Sequence, residues 1–260
     1  FLPRRFALVW ETHIKPEHPG RYRNVAHRVA GLVAITKHYA EEIPGLWNCP
    51  PEKVFYAPDG VAVEDFAHPE SAESARRRLG LPLDKKIALY AGRIDSWKGV
   101  DTLLDASTLL QEDMLVAVIG GTEEQVARLR PRYPNVRFLG QLPYTELPDN
   151  QAAADVLVLT GDPRSAVARL YTSPLKLFEY MASGRPIVTA DLPPIRDVLD
   201  ESTAFFCNPG DSADLARAIS DVLDHPEEAK ERAEAARKKV EHYTWDKRMQ
   251  RILDAVSSHL

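Results

Sequence analysis

YTSPLKLFEYMASGRPIVTAD, residues 171–191, carries the pattern of a loop, a helix and a strand in close succession. Thr172, Ser173 and Pro174 make a polar, proline-punctuated loop that runs into a helical pattern, with Leu175, Phe178, Met181 and Ala182 expected on its buried face. Gly184 offers a left-handed helix cap, and Pro186 blocks continuation. The β-branched run Ile187–Thr189 then reads as a buried strand. A loop entering a helix, followed by a strand, is how an open α/β sheet presents backbone N–H groups to a phosphate. Ser173 and the amides of Leu175 and Lys176 are the expected cradle, with one donor fewer than a glycine-rich loop because Pro174 has no N–H. Lys176 either adds its ammonium to that cradle or faces solvent. Glu179, about one turn inside the helix, is placed to hold a ribose diol; taken alone, it would pair with Lys176 on a helix surface.

Outward from this segment the chain alternates strands and helices, the pattern of parallel βα units. Upstream, Phe6–Trp10, Gly31–Ile35 and Val54–Ala57 read as strands. Arg21–Arg28 is a short basic helix, and Thr36 caps a helix that ends near Ile43. From about Phe66 the series is longer and more regular. Strands are expected at Ile87–Ala91, Met114–Ile119, Val136–Leu139, Val156–Thr160 and Ala204–Cys207. Helices are expected up to Gly80, over Val100–Leu110, through Arg130, over Thr145–Ala153, after Asp211 and from Pro226. About six βα units in this region suit one doubly wound domain. The final stretch, YTWDKRMQRILDAV, reads as a capped helix with Met249, Ile252, Leu253 and Val256 on one face.

The loop AGRIDSWKG follows a predicted strand, at the end where an open α/β sheet binds ligands. Arg93 and Lys98 there can neutralise a diphosphate, the guanidinium as a bidentate fork and the ammonium as a point charge. Cations beside a helix N-terminus are unfavourable without an anion, which favours a ligand over two idle surface charges. Asp95 and Asp162 read as loop and cap residues, Arg164 and Arg169 as exposed loop arginines that can approach a sugar or an acceptor, and Gly120–Gly121 as a tight turn.

Composition narrows the classes. The 260 residues are 44% hydrophobic and 27% charged, ordinary for a globular protein, and the net charge of −5 argues against a general nucleic-acid binder. Cys49 and Cys207 form no CxxC pattern and read as buried thiols in a reducing, cytoplasmic compartment. No histidine pattern resembles a metal-ligand motif, so no metal is expected. No apolar run is long enough to cross a bilayer. The start, FLPRRFALVWE, lacks both a signal-peptide core and an initiator Met, so the chain is expected to begin mid-protein.

Residues 171–191 resemble the nucleotide-sugar signature of retaining glycosyltransferases of the GT-B fold, family 4. Glu179 matches the family's second glutamate, which binds the donor ribose. Eight residues earlier the family has a glutamate that contacts the donor sugar; here Tyr171 stands in its place, as in one branch that carries SPLKLFEYMA without the first glutamate. GR…KG, comprising Gly92, Arg93 and Lys98, matches the family's diphosphate-binding element. FLGQL, with Leu139 and Gly140, resembles its base-binding turn. PDGVAVEDF resembles its hinge. His13, in WETHIKPEH, aligns with a histidine after an N-terminal-domain strand and is a candidate substrate contact.

The resemblance implies an α/β, Rossmann-like doubly wound parallel sheet with the tail of a second such domain. Residues 1–67 would be that tail, 68–244 the C-terminal nucleotide-sugar-binding domain, and 245–260 a helix crossing back. It implies no cofactor or metal, a nucleotide-diphosphate sugar as donor, and a glycan, lipid-linked or small-molecule hydroxyl as acceptor. It also leaves room for peripheral contact with the inner membrane face. Two other classes stay open: a nucleotide-binding module that does not catalyse, and a GT-B sugar-nucleotide epimerase, for which no catalytic acids are evident.

Overall fold

A computed structural model describes residues 7–257. Among these residues nine strands fall into two parallel sheets. The first is β1-β2-β3, formed by β1 (Val9–Thr12), β2 (Gly31–Ala34) and β3 (Val54–Tyr56). The second has the order β6-β5-β4-β7-β8-β9, formed by β4 (Lys86–Ala91), β5 (Met114–Ile119), β6 (Val136–Gly140), β7 (Val156–Leu159), β8 (Ile187–Ala190) and β9 (Phe205–Cys207). Every pairing in it is parallel, and the order is that of a doubly wound Rossmann-like sheet. These strands are short apolar runs because both faces are covered: Leu89, Leu157 and Phe178 belong to one core layer and Val118, Val158 and Ile219 to the other.

The helices are α1 (Arg23–Arg28), α2 (Lys37–Trp47), α3 (Ala72–Leu79), α4 (Val100–Ala106), α5 (Glu123–Leu129), α6 (Leu147–Ala152), α7 (Leu175–Ser183), α8 (Pro193–Arg196), α9 (Ser212–Asp224), α10 (Pro226–Val240) and α11 (Trp245–Ser257). Their ends follow side-chain chemistry. The Thr36 hydroxyl accepts from Tyr39 N–H, Asp211 accepts from Ala213 and Asp214 N–H, and Gly184 ends α7 at φ 67°.

Several sequence expectations shift. The first strand runs from Val9 to Thr12 instead of Phe6 to Trp10, and Phe6 lies outside the described residues. Helix α2 continues through Pro44 to Trp47 and is capped by Asn48, which adopts the left-handed conformation at φ 52°. Burial of Trp47 against Tyr39 and Ile43 outweighs the hydrogen bond that Pro44 cannot make. Helix α4 ends at Ala106 instead of Leu110. The hydroxyls of Ser107 and Thr108 donate to the carbonyls of Leu104 and Asp105, at 2.6 and 2.8 Å, and compete with the helical ladder.

Helix α11 packs on the three-stranded sheet through Ile252 and Val256, while Met249 and Leu253 are exposed. The third member of its buried face is Arg248, at 5% exposure. Its guanidinium donates to both carboxylate oxygens of Glu11, at 2.8 and 3.1 Å, and to the carbonyls of Pro58 and Ala57, at 2.8 and 3.2 Å. Val61, just beyond these carbonyls, bridges to Thr244 ahead of α11. Arg248 thus ties α11 to β1 and to the Ala57–Pro58 segment.

Candidate active site

In the six-stranded sheet the order reverses between β4 and β7, so the connections after these strands leave in opposite directions and open a crevice at their carboxyl ends. A cavity of about 660 Å³ lies there. Its lining comes from the loop after β4 (Gly92, Arg93, Trp97, Lys98), the turn after β5 (Gly120, Gly121) and Gln141–Tyr144 after β6. Thr160 and Gly161 after β7, Thr172–Lys176 and Glu179 also line it.

Backbone contacts build the floor. Gly120, at φ 117°, donates its N–H to Gly140 O at 2.6 Å, and a Cβ on it would lie 2.0 Å from Gly92 O. No side chain fits there. Gly99, at φ 64°, turns the chain from the short 3-10 turn Ser96–Lys98 into α4, and a Cβ there would come within 2.7 Å of the Gly161 backbone. Asp162 N–H donates to Trp97 O at 3.0 Å and the Thr160 hydroxyl to Lys98 O at 2.7 Å, fixing the loop after β4 to the loop after β7.

Arg93 and Lys98 enter the cavity from this loop. The Arg93 side chain is 77% exposed and gives Nε and Nη2 to Asp95 Oδ2, at 2.9 and 2.7 Å. Lys98 is more withdrawn, its Nζ 3.7 Å from the same oxygen and 5.2 Å from the centre of the Trp97 ring. Burial draws the Lys98 ammonium below the ordinary lysine range, and Asp95 restores part of the loss. An anion in the cavity would restore more.

Helix α7 points its N-terminus into the same space. Pro174 occupies the cap position and makes no side-chain cap, while the Ser173 hydroxyl accepts from Asp59 N–H at 2.9 Å. The first amides of α7, at Leu175 and Lys176, therefore face the cavity without a capping side chain. Leu175, expected in the buried face, is 48% exposed and lines the cavity; Leu177, Phe178, Tyr180, Met181 and Ala182 are buried. One turn on, Glu179 is a buried carboxylate at 8% exposure whose Oε1 accepts from the Tyr144 hydroxyl at 2.9 Å. Burial raises its pKa, against the opposing pull of Tyr144 and Lys176. Tyr144 is the functional-site partner that sequence reading missed. It lies 35 positions from Glu179, and no local pattern links the two.

Other candidates lie elsewhere. Leu139 and Gly140 line an adjoining depression with Gly121 and Gln141, which opens beside the main cavity. Tyr171 is outside both sets of lining residues. Its hydroxyl donates to Glu42 Oε2 at 2.8 Å and accepts from Lys15 Nζ at 3.3 Å, and its ring stands edge-on to His38 and Tyr39. The backbone of its neighbour Leu170 accepts from the Thr36 hydroxyl at 2.7 Å. Tyr171 and Leu170 thus engage the first part of the chain, while Ala168 of the same turn lines the cavity. Residues 167–171 form a π-turn, and Tyr171 at its end is held by Glu42, Lys15 and the rings of His38 and Tyr39. Arg164 is 89% exposed and folds back on Asp162, and Arg169 is exposed.

His13 is also outside the cavity, with Nε2 2.6 Å from Glu11 Oε1. Glu11, His13 and Asp59 gather their ligand-type atoms within 4.8 Å. Both Glu11 oxygens already accept from Arg248, whose guanidinium supplies the positive charge a cation would bring. Burial raises the pKa of the Glu11 carboxyl, but its hydrogen bonds from Arg248 and the charges of Arg248 and His13 outweigh that and hold it low. Burial pushes Asp59 up.

Residues 71–239 match the family described as glycosyl transferases group 1. Among curated relatives, a D-inositol 3-phosphate glycosyltransferase of Streptomyces scabiei (strain 87.22) is 31% identical over 234 residues, covering 83% of this chain and 51% of its own length. One of the same name from Thermomonospora curvata is 30% identical over 247 residues, covering 86% of this chain and 56% of its own length. The chain thus spans about half the length of these relatives. Among solved structures, Anabaena Alr3699/HepE in complex with UDP-glucose superposes with a TM-score of 0.81 at 20% identity, over 98% of this chain and 73% of that one. Sucrose-phosphate synthase from Thermosynechococcus elongatus gives 0.78 at 21% identity, over 98% and 68%. With the Rossmann-like sheet, the crevice at its reversal and the sequence match in agreement, the chain belongs to the glycosyl transferases group 1 family.

Proposed function

We propose that the chain carries the nucleotide-sugar site of a retaining, metal-independent glycosyltransferase of family 4. Residues 68–244 would bind the donor, residues 1–67 would be the tail of the acceptor-side domain, and residues 245–260 the helix crossing back to it. The observation that carries the reading is the convergence of Lys98, Arg93, the uncapped amides of α7 and the buried carboxylate of Glu179 on one cavity. Spaced this way, cations and amides suit a diphosphate, and a carboxylate one turn away suits the two hydroxyls of a ribose.

In this scheme the glycosidic bond to the β-phosphate breaks, and the negative charge left on that phosphate is stabilised by Arg93 and Lys98 in place of a metal. The acceptor hydroxyl attacks from the face the phosphate leaves, and the departing phosphate takes its proton. The base would lie against the turn at Leu139 and Gly140. The complex of Anabaena Alr3699/HepE with UDP-glucose supports uracil as the base to try first. The curated relatives make an inositol phosphate the first acceptor to try; other small molecules, glycans and lipid-linked acceptors at the inner membrane face follow. No helix among the described residues is long and apolar enough to cross a membrane.

One observation favours a second reading, a nucleotide-binding module without transfer. Tyr171, at the position where the family resemblance implies a sugar-contacting glutamate, does not line the cavity and holds Glu42 instead. Calorimetric titration with UDP, GDP, ADP and their glucose conjugates tests the first reading, and failure of all of them to bind would refute it. Release of nucleoside diphosphate from the bound conjugate in the presence of acceptor separates transfer from binding alone.

A further inference from the structure

The cavity holds three cations with unequal partners. Arg93 gives two nitrogens to Asp95 Oδ2, and Lys98 stands 3.7 Å from the same oxygen. Lys176, in the first turn of α7, has no carboxylate within ion-pair distance among the described residues; Glu179, one turn along the same helix, accepts from Tyr144. The Lys176 ammonium instead lies 3.8 Å from the centre of the Tyr90 ring. It also presses on Gly92 so closely that a Cβ there would be 2.6 Å from Nζ. A ring face offsets only part of the cost of withdrawing an ammonium from water. Held among Tyr90, Gly92 and Lys98 without a counter-ion, this cation is arranged for a ligand anion.

We propose that Lys176 is a third cation of the diphosphate grip, reaching from beneath Gly92 a phosphate oxygen that Pro174, lacking an N–H, leaves unserved. The proposal rests on the nucleotide-sugar reading above. Two further features support it. Asp95 already engages Arg93 and Lys98, so a diphosphate must compete for them, whereas Lys176 is released from no carboxylate when it binds. Burial draws the Lys176 ammonium well below the ordinary lysine range and the charge of Lys98 adds to that, while Glu179 and Asp95 pull the other way. An anion at this point relieves the burial and the repulsion together.

The test is calorimetric titration of uridine and UDP against the wild-type chain, Lys176→Met and Lys176→Gln, with circular dichroism melting to confirm folding. Loss of one charge-assisted hydrogen bond to phosphate should weaken UDP by roughly 10- to 100-fold and leave uridine within about twofold. In the wild-type chain, acylation of Lys176 read by mass spectrometry should be slowed by UDP and not by uridine, a readout that needs no variant. If UDP binds the wild type and both folded variants equally, or leaves Lys176 acylation unchanged, the proposal is overturned while the donor reading stands. If UDP, GDP and ADP all fail to bind the wild type, the donor reading itself has failed.

Discussion

Replacing Glu179 by Gln should stabilise the protein while weakening its grip on nucleotide. The carboxylate is buried at 8% exposure and keeps one hydrogen bond, from Tyr144 at 2.9 Å. Burial raises its pKa in the folded state. The folded protein therefore holds a proton that the unfolded chain releases. The stability tied to this proton is present below the ordinary glutamate value, about 4.3, and is lost as pH rises through the higher folded value. At neutral pH the buried charge is a liability. A neutral amide of the same shape removes it, a gain on the order of 1 kcal/mol. For a domain of this size that is a rise in melting temperature of roughly 2–4 °C. Binding should change in the opposite direction. A carboxylate accepting from two ribose hydroxyls makes charge-assisted bonds, each stronger by about 1 kcal/mol than an amide's, so the nucleotide should bind roughly 10- to 30-fold more weakly. The assays are thermal melting between pH 5 and 8 and calorimetric titration with UDP. A variant that melts at or below the wild type and binds UDP unchanged would refute the reasoning, because Glu179 would then serve only to anchor Tyr144.

Three further outcomes follow from particular contacts. Gly120→Ala drives a Cβ to 2.0 Å from Gly92 O at φ 117°, and should cost about 2–4 kcal/mol in urea unfolding while abolishing nucleotide binding. Arg248→Ala removes a buried guanidinium from Glu11, Pro58 and Ala57, and should cost about 2–4 kcal/mol, discounted because Glu11 retains a third of its exposure; equal unfolding midpoints would contradict the tie. Tyr171→Phe removes a hydroxyl engaged with Glu42 and Lys15, so UDP-glucose affinity should stay within about twofold while stability falls by about 1 kcal/mol; a large loss of affinity would place residue 171 at the donor after all.

The sequence made the larger sheet legible because its strands are mostly buried and its punctuation is local. Gly184, Pro186 and the run Ile187–Thr189 fix the end of α7 and the start of β8 within five residues. The same locality exposed the loop carrying Arg93 and Lys98. What stayed hidden depended on distant partners. Arg248 lies outside the face Met249, Ile252, Leu253 and Val256 read from the sequence, and its burial depends on Glu11, 237 positions away. Leu175 fits the apolar stripe of α7, yet the helix is buried on nearly every side and this position is spent on the cavity wall. Tyr171 has the right spacing from Glu179, but spacing carries no information about Glu42 and Lys15, the distant partners that hold its hydroxyl. The early end of α4 was local in origin and still missed, because apolar periodicity hides the competing hydroxyls of Ser107 and Thr108.

On the proposed reading, the crevice between β4 and β7 grips a nucleoside diphosphate through Lys98 and the first amides of α7. A crystal structure of the chain grown with UDP tests it most directly. The expected result is a diphosphate within hydrogen-bond distance of Lys98 Nζ and of the Leu175 or Lys176 amide, with ribose hydroxyls on Glu179. UDP bound elsewhere, or in the crevice with Lys98 and the α7 amides untouched, would contradict it.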